Sequence, residues 1–198
     1  MTRAATAPRA GTGTRDRILE TALRLYSERG TARVSMRELA DAAGVTVPGL
    51  YYHFASKAEL IQALYASRGF GRNEDVAHAA PGPVDARIVE QARWEFARLV
   101  ADEDFLRLMQ RESVFGDGDA LEVGRHLDAE WRARWRDVLA GSTDVAPAAD
   151  VTSAADCIAT FLWGLFVQYL NDHDGSLVTR IDAFAALVAP ALTTKPRP

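Results

Sequence analysis

Met36-Arg-Glu-Leu39-Ala-Asp-Ala-Ala-Gly44-Val45-Thr-Val-Pro-Gly-Leu50-Tyr51-Tyr52-His53-Phe54-Ala-Ser56-Lys57-Ala-Glu-Leu60 is the stretch from which the rest of the chain can be read. It is entered through Ser35-Met-Arg-Glu38, a capping box in which serine hydroxyl and glutamate carboxylate each satisfy a free backbone N–H at the other's position. A short helix follows, with Leu39 and Ala43 facing inward, and Gly44 stands where a left-handed residue would close it. Thr46 is placed to cap a further helix, and Pro48 falls in its first turn, where a missing N–H costs nothing. Two short helices joined by a tight Gly44-Val45 corner describe a helix-turn-helix. Val45 plugs the corner, Leu39 and Leu50 pack the two helices together, and Thr46, Val47, Pro48, Gly49 and Tyr52 face outward. The first turn of such a helix can enter a major groove, where backbone and small side chains approach base edges.

Upstream, Ile18, Ala22 and Leu25 recur at helical spacing among Arg15, Arg17, Glu20 and Arg24, which predicts an amphipathic helix over 14–29 closed by Gly30. Residues 1–13 are small, polar and Gly/Pro-bearing, and read as a disordered arm. Its Arg3 and Arg9 suit either a passive tail or minor-groove contacts. Downstream, Ser56-Lys-Ala-Glu59 is a second capping box and opens a longer helix through Leu60, Leu64 and Ser67. That helix carries Lys57 at one end and Leu64, Tyr65 and Phe70 towards the other. Ala79-Ala-Pro-Gly-Pro83 breaks the chain, and helical patterns then cover about 84–101, 103–114, 118–140, 150–172 and 176–192. No strand-type alternation occurs. The expected fold is all-α, with about nine helices: an arm (1–13), a helix-turn-helix head (14–61) and a helical body (62–198).

Tyr51, Tyr52, His53 and Lys57 follow the corner with no acid before Glu59, and hydroxyl, imidazole and ammonium groups are suitable donors to phosphate oxygens. Singly each has a plainer role, as half-buried core or solvated surface. From Ile18 to Leu64 the sequence, with Leu-Tyr-Tyr-His-Phe followed by Ser-Lys, resembles the DNA-binding region of the TetR (tetracycline repressor) family without a gap. The resemblance implies that Arg37, Thr46, Val47, Pro48, Gly49 and Tyr52 address bases while Tyr51, His53 and Lys57 hold phosphates. Val47, Pro48 and Gly49 offer no bidentate donor, so that face is suited to thymine methyls, and Arg37 is the candidate for guanine.

Charge divides along the same line. Residues 1–60 carry nine Lys/Arg against six Asp/Glu, and the remainder fourteen against twenty-one, a mildly basic head on an acidic body. An apolar fraction of 48% with 25% charged residues fits a globular chain and not a disordered one. The single Cys157 excludes an intramolecular disulfide framework and a cysteine zinc site, and in the apolar run 157–167 it reads as a small buried residue. The first residues lack a secretory apolar core and no run reads as a membrane span, so a cytoplasmic protein with no membrane partner is expected. His126 and Glu130 lack a third metal ligand, Asp117-Gly-Asp119 lacks the rest of a calcium loop, and no nucleotide-binding glycine loop or activated nucleophile is present. Neither enzyme activity, metal nor cofactor is expected.

In the body, helix 150–172 is apolar nearly all round, with Ala155, Ile158, Leu162, Phe166 and Tyr169 on one stripe and Phe161, Gly164 and Val167 on another. One stripe can pack its own core and the other a partner chain, or the helix can be central. The family resemblance implies a two-fold interface on the last two helices, here Phe161, Gly164 and Val167 with Ile181, Phe184 and Val188. A homodimer suits palindromic operator DNA. The resemblance also implies an effector cavity, for which Trp94, Phe105, Met109, Trp131, Trp135 and Trp163 are candidate walls, with Arg98, Arg111 or His126 able to meet an acid. The expected function is a ligand-responsive transcriptional regulator, most readily a repressor released by a small apolar or aromatic effector of unknown identity. The alternative is a helical small-molecule-binding or enzymatic protein with a vestigial helix-turn-helix.

Overall fold

The computed structural model describes residues 13–68 and 79–193. Among them are nine α-helices: α1 (Thr14–Arg29), α2 (Met36–Ala43), α3 (Val47–His53), α4 (Lys57–Ser67), α5 (Val84–Ala101), α6 (Glu103–Phe115), α7 (Gly118–Ala140), α8 (Val151–Asp172) and α9 (Thr179–Leu192). The fold is all-α, as its periodicity predicts. Residues 1–12 of the expected arm, with Arg3 and Arg9, and Phe70 lie outside the described residues.

Five of these helices, α2, α3, α4, α7 and α8, begin at a side-chain cap. Ser35 accepts from the Glu38 N–H at 3.2 Å while Glu38 accepts from the Ser35 N–H at 3.0 Å, the expected reciprocal box. At α4 only half of the expected box forms. Ser56 accepts from the Glu59 N–H, but Glu59 reaches one residue further back, to the Ala55 N–H at 2.8 Å. Asp117 and Asp150 cap α7 and α8 through the N–H groups of Ala120 and Ser153. The last expected helix, 176–192, is two pieces: a 3-10 turn (Gly175–Val178), then α9. Asp174 starts the turn by accepting from Ser176 N–H and hydroxyl, which tightens the first residues before the α-helical ladder takes over.

Helices α1 to α3 wrap one end of a single apolar core through Ile18, Ala22, Leu39, Leu50 and Phe54, all fully buried. Helix α4 links that end to the rest, with Leu60 and Leu64 fully buried and with packing on both α1 and α7. Helices α5 to α9 form the larger part, in which α7 pairs with α8 and α5 with α9. Two stretches, Val151–Asp172 and Gly175–Leu192, are long and apolar enough to cross a membrane, contrary to the expectation that none would be. Part of that apolarity is internal, since Ile158, Leu162, Phe166, Leu177 and Ile181 are buried in the shared core.

Candidate functional site

The exposed corner of the molecule is built from four short contacts. Gly44 adopts φ 65°, ψ 39°, a left-handed conformation that favours glycine, and its N–H and that of Val45 close onto the carbonyls of Asp41 and Ala40. Arg17 Nε donates to the Ala43 carbonyl at 3.1 Å, holding α1 to the end of α2. Thr46 then caps α3 by accepting from the Gly49 N–H at 3.1 Å. A side chain at Gly49 would begin 3.0 Å from that Thr46 oxygen, so glycine keeps the cap uncrowded.

With Leu50 and Phe54 buried, α3 turns Thr46, Pro48 and Tyr51 outward, and Tyr52 is 86% exposed. His53 is half-buried with its ring edge-on to Tyr52 at 5.4 Å. Arg37 is exposed in the first turn of α2. Val47 packs partly against the core, so it presents less surface than expected. Glu38 beside them is held below the usual carboxylate range by the Ser35 N–H and then by Arg29, whose guanidinium donates to it at 2.9 Å.

Lys57 departs from expectation. Its ammonium is turned towards the body, donating to the Thr31 carbonyl at 2.6 Å and to the Asp117 carboxylate. Burial works to raise the Asp117 carboxyl, but the hydrogen bonds from Lys57 and from the Ala120 N–H prevail and hold it below its ordinary value. A half-buried carboxylate at a helix N-cap has drawn in a cation the sequence alone places on the surface.

Helices α4 to α8 enclose a cavity of about 520 Å³. Tyr65 and Leu99 line it from α4 and α5, Met109 and Glu112 from α6, Gly124, Leu127 and Trp131 from α7, and Trp163 and Phe166 from α8. Of the six expected wall residues, Met109, Trp131 and Trp163 are therefore there, and three are not. Phe105 is fully buried edge-on to Tyr65, and Trp135 is fully buried in the core one turn beyond Trp131. Trp94 points to a shallow groove between α5 and α9, with Arg98 4.6 Å over its ring. The cations at the mouth are Arg125 and Arg132. Arg111 instead donates to the Ser27 carbonyl at 2.8 Å, and His126 pairs with Glu130 at 3.3 Å on the surface. The missed residues left a trace in the sequence: Ala120, Gly124 and Leu127 share one stripe of α7 with the expected Trp131, and glycine is costly inside a helix of 23 residues. A side chain at Gly124 would meet nothing within 4 Å. Trp131 Nε1 donates to Glu95 at 2.9 Å; burial raises the Glu95 carboxyl, and hydrogen bonds from Gln91 and Trp131 only partly oppose this.

A second apolar surface lies on α8 and α9. Phe161 stacks on Phe184 with ring centroids 3.9 Å apart, both half-buried, and Val167 and Val188 are half-buried beside them. Gly164 faces open space, and Leu187, which the periodicity did not single out, is 73% exposed. Ile181 is corrected: it is buried in the chain's own core and offers nothing to a partner. Cys157 is also corrected, being exposed on α8. Among the described residues no three His, Cys, Asp or Glu side chains gather as a metal site.

Residues 18–64 match the model of the bacterial regulatory proteins of the tetR family. The chain is 48% identical over 54 residues to the HTH-type transcriptional regulator TtgR of Pseudomonas putida, a match covering 27% of this chain and 26% of that protein. The matched segment thus spans about a quarter of that relative's length. Against the HTH-type transcriptional repressor KstR2 of Rhodococcus jostii the identity is 39% over 146 residues, 70% of each chain. The crystal structure of the transcriptional regulator FadR from Bacillus subtilis in complex with stearoyl-CoA shares the fold, with a TM-score of 0.69 at 17% identity over 89% of this chain and 98% of that one.

Proposed function

This chain belongs to the TetR family of bacterial regulatory proteins, and from that premise we propose that it is a ligand-responsive repressor that binds operator DNA as a homodimer. The observation that carries the reading is the outer surface of α3, where Thr46, Pro48, Tyr51 and Tyr52 stand clear of a helix anchored by Leu50. In this reading residues 14–61 are the DNA-binding head and 62–198 the effector and dimerisation body, with no catalytic role. Arg37 addresses a guanine, residues 46–49 and Tyr52 approach bases, and Tyr51 and His53 donate to phosphates. Lys57 joins them only by leaving Asp117. Phe161, Gly164, Val167, Phe184, Leu187 and Val188 supply the two-fold face.

The 520 Å³ cavity lies within the roughly 300–1,000 Å³ usual for small-molecule sites and is walled mainly by apolar and aromatic side chains. The body around it meets the head through contacts that include Lys57 on Asp117, Thr31 on Glu112 and Arg111 on the Ser27 carbonyl. A small apolar or aromatic effector that prefers a different setting of these contacts separates the two heads. Complete release requires about 10⁴-fold preference for the released state.

Selection of binding sites from random duplex DNA tests this. The expected product is a palindrome whose half-sites lie about one helical turn, 34 Å, apart. Arg37→Ala should cost about 1–3 kcal/mol at one base pair of each half-site and relax preference there. Failure to enrich any sequence would overturn the regulator reading.

A further inference from the structure

One side chain belongs both to the cavity wall and to the contact between body and head. Glu112 lines the cavity, is only 4% exposed, and accepts from the Thr31 N–H at 3.1 Å and from the Thr31 hydroxyl. Among the described residues it forms no ion pair with an arginine or lysine. The Tyr26 hydroxyl is pushed upward by burial and then by the charges of Asp117, Glu112 and Asp119. Tyr65, on the same wall, is likewise kept as the neutral phenol by burial and by the charge of Glu112.

A buried carboxylate is tolerable while its oxygens have donors, and losing them is expensive. The two Thr31 groups are the donors here, and they come from the head. A neutral hydrocarbon or an anion arriving in the cavity can replace neither. A protonated amine can, because it brings N–H donors and the opposite charge, and the faces of Trp131, Trp163 and Phe166 attract a cation as well. The mouth does not favour the opposite sign: Arg132 is held by Asp128 at 2.8 Å and Asp156 at 3.3 Å, and Arg125 is exposed, where water screens it. We propose that the cavity takes a lipophilic ammonium compound whose N–H groups take over Glu112 from Thr31, exchanging a contact with the head for a contact with the ligand. This rests on the regulator reading and adds to it the charge of the effector and the residue through which it is felt.

Three anthracene probes of one shape, 9-anthracenemethylamine, 9-anthracenemethanol and 9-anthracenecarboxylate, separate the alternatives in the full-length protein. Quenching of the wall tryptophans reads binding, and operator affinity is measured over the same concentrations. The amine should bind at least about tenfold more tightly than the carboxylate and release DNA, in keeping with a charge-assisted hydrogen bond. Glu112→Gln keeps the shape and an acceptor for Thr31, and should weaken the amine about tenfold while leaving the alcohol within about twofold. Thr31→Val removes a competing donor from Glu112, so the amine should bind more tightly to that variant, the reciprocal sign expected of linked contacts. A carboxylate that binds as tightly as the amine, or an amine affinity unmoved by both substitutions, would overturn the ammonium proposal while leaving a ligand-responsive regulator standing. Absence of quenching by all three, with the protein still bound to its operator, would overturn the cavity's role altogether.

Discussion

The head and the body of this molecule are coded differently. In the head, each turn of chain carries its own instruction: Ser35 with Glu38, Gly44 at φ 65°, Thr46 on the Gly49 N–H. The contacts span a few residues, and the outward face of α3 follows from which side Leu50 buries. In the body, helices are legible but their facing is not. Trp131 and Trp135 lie one turn apart on α7, yet the first lines the cavity and the second is sealed in core. What separates them is how the rest of the chain packs around each, a long-range fact with no local sign.

The contrast is sharpest, and most breakable, where the body acts on the head's behalf. Leu187→Asp places a charge on the exposed apolar face of α9 without disturbing the chain's own core. It should leave the fold intact, yield monomers by light scattering, and lower operator affinity by about two orders of magnitude or more, because the gain from linking two half-site contacts is lost. A variant that stays dimeric would place the interface elsewhere. Next in size, Trp135→Ala should cost about 3–5 kcal/mol in urea unfolding, the range for emptying a fully buried aromatic site. Trp131→Ala, beside an existing cavity, should cost less. Equal costs would mean that the two tryptophans are alike after all.

Smaller effects belong to the head. Ser35→Ala should remove one side of its capping box and destabilise by about 0.5–2 kcal/mol in the same measurement, with little change in the body. The least conspicuous expectation concerns pH, and here the regions should move in opposite directions. Glu38 in the head is held low by the Ser35 N–H and Arg29, so its contribution is present above the unfolded carboxylate range and is lost as pH falls through the folded value. Glu95 in the body is raised by burial, so its contribution is full at acid pH and is lost as pH rises through its elevated value. Hydrogen exchange across a pH series should show α2 loosening on the acid side and α5 on the alkaline side. A common direction for both would contradict these assignments.

Most helix bounds and the outward face of α3 are legible in the sequence, since capping residues and helical periodicity act over distances of a turn. Lys57, Ile181 and Cys157 were misplaced for one shared reason. Each lies on a helix whose period is right, and its direction depends on how distant parts of the chain pack: Lys57 turns to Asp117, Ile181 into the chain's own core and Cys157 to solvent. Glu112 was invisible for the same reason, because its significance comes from Thr31, 81 residues away.

The pairing of Lys57 with Asp117 alters the ion accounting of DNA binding. An arginine or lysine already in water that reaches a phosphate sends a condensed counterion back to bulk, and each such contact steepens the dependence of affinity on salt. In the proposed complex Lys57 would reach a phosphate only by abandoning Asp117, whose freed carboxylate would then be balanced by a cation from solution. One ion leaves the DNA as another settles on the protein, so recruitment of Lys57 adds little to the salt slope even though it adds a contact. Asp117→Asn frees the ammonium beforehand, and it should make the slope steeper by about one while strengthening binding in dilute salt.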